Sequence, residues 1–154
     1  SDIEARLTDR KDHDYPLASG VVARGEPVHD MLARVTIDRE MTIVEAVVVL
    51  AAAPYNELCG EIAPDYGRLV GLNLFHGFRK AVREQFGNVR GCSHVTELLM
   101  FLPTAAMQTF ASDYRDTEDT GHKPYQLDRC HALDSHSEAV RRYYPRWYRG
   151  QKTG

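Results

Sequence analysis

Two β-branched arms that meet at a short turn constrain this chain more than anything else in it. "MLARVTID" and "TIVEAVVVLAA" flank "DREM". Val, Ile and Thr are stiff at χ1 and pack well on a pleated surface, so each arm reads as a strand. A turn of about four residues between them makes an antiparallel hairpin over residues 31–52. The second arm is nearly continuously apolar, which predicts a central strand buried on both faces. Upstream, "IEARLTD" reads as a strand from Ile3 to Thr8 that fades into a polar loop ending at Pro16.

Downstream the period changes from two to 3.6. Phe78, Val82 and Phe86 form an i, i+4, i+8 stripe closed by Gly87, which predicts an amphipathic helix. "CSHVTELLMFLPTAAMQTF" predicts a long helix with Ser93 as N-cap. Pro103 lacks the N–H that would bond back to Leu99 and is expected to kink or divide it. "PDYGRLVGL" and "SHSEAVRRYY" suit shorter helices. The order of strands then helices predicts an α+β fold, an antiparallel sheet with helices packed on one face.

A length of 154 residues suits a single domain, 1–154, with its own core. Residues 113–124 read as a mobile loop, and 125–154 as a basic aromatic tail that docks on the domain or on a partner subunit. The opening without Met suggests a truncated N-terminus. A net charge of −3 argues against a dedicated nucleic-acid binder. No apolar run reaches the roughly 18 residues of a membrane span. Three cysteines, an odd count, argue against a disulfide framework and for a reducing cytoplasm.

Seven histidines accompany those cysteines. Cys92 and His94 sit at the start of the long helix. They can act as one corner only if Cys92 precedes the helix, because i and i+2 diverge by roughly 200° within one. Cys59 lies in a loop after the hairpin, and His29 and Asp30 lie in the loop that enters it. Loops at one end of a sheet would bring thiolates and an imidazole together, a donor set for zinc or ferrous iron. His29, Cys59 and Cys92 are thus the expected ligands, with Asp30 or His94 adjacent. Glu57, Glu61 and Glu97 are candidate proton carriers beside such a site. No phosphate-binding loop and no nucleophile elbow are present.

The run "RGEPVHDMLARVTID…TIVEAVVVLAAAPY…GCSHVTELL…YPRWY" resembles a family of bacterial proteins catalogued only as a domain of unknown function. That resemblance implies no activity. Three segments, "GEPVHD", "CGEIA" and "RGCSH", are also similar to the iron–sulfur scaffolds of the IscU/NifU type. This second resemblance implies an IscU/NifU-like fold with His29 or Asp30, Cys59 and Cys92 at its cluster site. A cluster scaffold needs three thiolates, whereas this chain places two there. The donor set is closer to a mononuclear divalent metal site, zinc or iron.

Three functions fit these residues. One is a metal-dependent enzyme, a hydrolase or lyase using Lewis-acid and acid/base chemistry on a small-molecule substrate. The second is a metal or iron–sulfur carrier with a protein partner. The third is an interaction domain without metal. A homo-oligomer is compatible with all three.

Overall fold

The computed structural model describes residues 1–109 and 121–150. The chain divides into two compact units, Ser1–Ser112 and Asp113–Gly154. In the first, a three-stranded antiparallel sheet has the order β1-β4-β5, from β1 (Asp2–Arg10), β4 (Pro27–Ile37) and β5 (Ile43–Ala52). A two-stranded ribbon, β2 (Tyr15–Leu17) and β3 (Gly20–Val22), links β1 to β4. The α+β class and the hairpin within residues 31–52 are as the sequence predicts.

Alternation sorts each strand into two faces. Ile3, Ala5 and Leu7 of β1 share the core face with Met31, Ala33, Val35 and Ile37 of β4. Ile43, Ala46, Val48 and Leu50 continue that face on β5, which keeps it across two register shifts. Each shift gives β5 one more residue than β4, so the strand bulges where its long apolar run would otherwise lose phase.

The strand at the centre of the sheet is β4. The apolar run of β5 lies at the edge, contrary to the sequence expectation. Its edge is covered instead of paired. The backbone of Ile43 exchanges hydrogen bonds with Leu72 and Gly71, and the 3-10 segment Ala63–Leu69 packs against the strand. Only part of the run is buried by these contacts: Ile43 and Val48 face the core, whereas Val44 and Val49 are exposed.

Helices cover the core face. α2 (Phe78–Phe86) buries its predicted stripe of Phe78, Val82 and Phe86. α3 (Ser93–Thr109) lays Val95, Leu98, Leu99, Leu102 and Ala106 against β1 and β4. Pro103 does not divide α3. It is buried inside an unbroken helix, where packing offsets the missing hydrogen bond. A short helix, α1 (Asn56–Gly60), follows β5 and carries Cys59, which the sequence reading placed in a loop.

The second unit contains α4 (Glu138–Tyr143), capped by the Ser137 side chain, which accepts from the Val140 N–H at 3.1 Å. Asp128 accepts from the Ser135 N–H at 2.7 Å and from its hydroxyl at 2.8 Å, and also pairs with Lys123. These bonds hold Asp128 well below the usual carboxylate range, Lys123 contributing most. Residues 113–120 of the expected mobile loop and the end of the expected tail lie outside the described residues.

Candidate functional site

The core face of the sheet changes character at one end. Along β1 the inward residues run Ile3, Ala5, Leu7 and then Asp9. Along β4, read backwards, they run Ile37, Val35, Ala33, Met31 and then His29. Asp9 and His29 are direct cross-strand partners. A carboxylate and an imidazole thus end two apolar stripes side by side, beneath the N-terminus of α3.

Asp9 Oδ2 lies 3.1 Å from His29 Nδ1, and Lys11 Nζ lies 2.8 Å from Asp9 Oδ1. These two bonds, Lys11 first, hold the Asp9 carboxyl below its ordinary range. An ionised carboxylate only accepts, so Nδ1 of His29 donates to it, which leaves Nε2 as the ring nitrogen that can meet another partner. His94 packs on His29 with ring centroids 4.2 Å apart at an interplanar angle of 42°. Burial, and after it the neighbouring His29, lower the His94 pKa, against a smaller opposing pull from Asp9. His94 is therefore held toward its neutral form.

A second pair lies alongside. The Cys92 thiol points at the Met31 thioether, with the sulfurs 4.0 Å apart. Cys92 precedes α3, and its carbonyl accepts from the Thr96 N–H at 2.9 Å. The N-cap position is therefore Cys92 and not Ser93. Tyr66 causes the difference. Its fully buried hydroxyl accepts from the Cys92 N–H at 2.8 Å and donates back to the Cys92 carbonyl at 3.4 Å. Its ring stacks on Phe86, with centroids 4.6 Å apart. The entry to α3 is thus clamped from the core, and the condition for Cys92 and His94 to share a corner is met.

The structure brings some of the expected site residues together and separates others. His29 and His94 meet, and Cys92 precedes His94 by two residues. His29 and Asp30 lie within β4, not in the loop before it, because the far half of β1 pairs with them: Thr8 with Asp30 and Asp9 with His29. Strand alternation then sends Asp30 to the opposite face. There Arg6 grips it with two bonds of 2.9 and 2.7 Å and holds its carboxyl below the ordinary range.

Cys59 is half-buried and packs against the core. Glu57, Glu61 and Glu97 are exposed, with no hydrogen bond or ion pair to the imidazoles among the described residues. Among those residues no three His, Cys, Asp or Glu side chains converge as a ready metal cage. Asp9, Met31 and Tyr66 are the participants that sequence reasoning passed over. A signal for the first two existed, because both lie on the alternating stripes that define the core face.

The family model described as "Protein of unknown function (DUF2889)" matches residues 1–108. The chain belongs to that family. The DUF2889 match contains Asp9, His29, Met31, Tyr66, Cys92 and His94, and it stops one residue short of the end of α3. No curated protein and no solved structure matches the chain, and the likeness to iron–sulfur scaffolds is not shown. No helix among the described residues is long and apolar enough to cross a membrane.

Proposed function

We propose that this chain is a metal-dependent enzyme acting on a small organic molecule, with Asp9, His29 and His94 as its working centre. The observation that carries the reading is the Asp9–His29 bond behind a pair of touching imidazoles. A metal-binding histidine usually gives its other ring N–H to a carboxylate, which fixes the tautomer and raises ligand basicity. His29 is prepared in that way. His94 supplies the second nitrogen.

Two imidazoles suit a divalent ion of the zinc or ferrous class. The remaining coordination positions fall to water and substrate, which Lewis-acid chemistry requires. Glu97 follows His94 by three residues on α3. The two share a helix face, so Glu97 is the glutamate best placed to carry a proton. The contact between the two rings also supports a second reading, a metal-free imidazole pair working as acid and base.

Calorimetric titration with Zn²⁺, and anaerobically with Fe²⁺, separates the two. The expected result is one equivalent bound by the native chain and none by His29→Ala or His94→Ala. Asp9→Asn should weaken binding by about 10–100-fold, the usual effect of removing the group behind a metal-bound histidine. Stoichiometric binding that survives both histidine substitutions would overturn the assignment. If no ion binds, the metal reading fails and the acid/base pair remains.

A further inference from the structure

The sulfur pair goes beyond the divalent-ion reading: it shares His29 with that reading but adds two sulfur donors that the reading does not use. His29 and Met31 are two residues apart on one face of β4. Cys92 and His94 are two residues apart at the entry to α3. The segments meet crosswise, imidazole on imidazole and sulfur on sulfur. We infer that Cys92 and Met31 form a binding site for a soft monovalent cation, Cu(I), with His29 as the nitrogen donor next along the strand.

Three observations support this. First, the spacing is right. Two metal–sulfur bonds of about 2.3 Å opened to about 120° place their sulfurs about 4.0 Å apart. The separation in the structure is 4.0 Å. Second, the chemistry is selective. A thiolate and a thioether are soft ligands that favour Cu(I) over hard cations, and an imidazole tolerates copper as well. Third, the site is shielded but reachable. Met31 is 1% exposed, whereas Cys92 is only half-buried.

Binding needs no electron transfer. The thiol S–H now points into the gap between the sulfurs. Cu(I) forms a bond to the Cys92 sulfur as that proton leaves to solvent, and the thioether of Met31 donates a lone pair without losing anything. Tyr66, by holding both backbone groups of Cys92, keeps its sulfur aimed at the strand.

The test is an anaerobic titration with Cu(I) buffered by a chromophoric chelator, so that the protein must compete for the ion. The native chain should take one equivalent. Cys92→Ser should lose it. Met31→Leu conserves volume and should keep its circular dichroism spectrum, yet weaken Cu(I) at least about tenfold, as loss of a ligand costs no less than loss of the group behind one. Cys59→Ser and Cys130→Ser should bind as the native chain does. Zn²⁺ binding should survive Met31→Leu, which keeps the outcome distinct from that of the imidazole centre. Native affinity in Met31→Leu overturns the inference, as does stoichiometry that follows the exposed Cys130, or no binding at all.

Discussion

Replacing Tyr66 with Phe removes one oxygen and leaves the rest of the residue's packing in place. The ring keeps its stack on Phe86 and its position in the core. Lost are the acceptor for the Cys92 N–H at 2.8 Å and the weaker bond to its carbonyl at 3.4 Å. Leaving a buried donor unsatisfied costs about 1–3 kcal/mol. Two effects lower that figure. Cys92 is half-buried, so water reaches part of the gap, and the absent hydroxyl no longer needs desolvating. The expected net loss is about 1–2 kcal/mol. For a chain of this size that is a fall in Tm of about 2–8 °C. Thermal unfolding followed by far-ultraviolet circular dichroism measures it, and hydrogen exchange at the Cys92 amide locates it. A Tm change worth under about 0.5 kcal/mol, the scale of a neutral surface substitution, with the Cys92 amide still protected, would refute the idea that Tyr66 clamps the helix entry.

The same corner makes a second prediction. Gly91 has an extended backbone (φ −160°) that any residue adopts, but a Cβ there would lie 2.4 Å from the Phe86 carbonyl oxygen and 3.0 Å from the Tyr66 hydroxyl. Gly91→Ala should therefore cost about 1–3 kcal/mol through overpacking, and an unchanged urea midpoint would show that the corner yields freely. In the second unit, Asp128 is held below the ordinary carboxylate range by Lys123 and Ser135. A depressed carboxyl contributes stability above its unfolded value of about 3.9 and loses it as pH falls through the lower folded value. The Ser135 amide, followed by NMR, should titrate well below pH 3.9 in the native chain and show no such step in Asp128→Asn. A native midpoint at the ordinary value would contradict the bonding described.

Much of the architecture was legible because local pattern and tertiary outcome agree. The hairpin, the α2 stripe, the long α3 and the Ser137-capped α4 each carry their own periodicity or cap. The failures share one cause. Pro103 pointed to a kink or a division of the helix judged by its own hydrogen bonds, and the division does not occur, because α3 buries that face. The β5 run looked central because a continuous apolar stretch implies burial on both faces, whereas at this edge Val44 and Val49 are exposed. The ribbon from Tyr15 to Val22 escaped notice because three-residue strands around Pro16 carry no alternation to read.

The candidate site divides along the same line. Sequence alone singled out His29, Cys92 and His94, and it set the condition that Cys92 must precede a helix to work with His94. It also carried the alternation of Ile3 to Leu7 and of Met31 to Ile37, but it stopped short of Asp9 and His29, which it left in loops. Only the tertiary structure decided which end of each stripe meets which. Pairing β1 with β4 in the register that sets Asp9 opposite His29 turned Asp30 away and gave it to Arg6. Laying α3 over that end of the sheet then placed His94 on His29 and Cys92 on Met31. Register is a long-range choice. A shift of one residue would send every one of these side chains to the other face, and the free energy that forbids it comes from the whole core and not from the residues of the site.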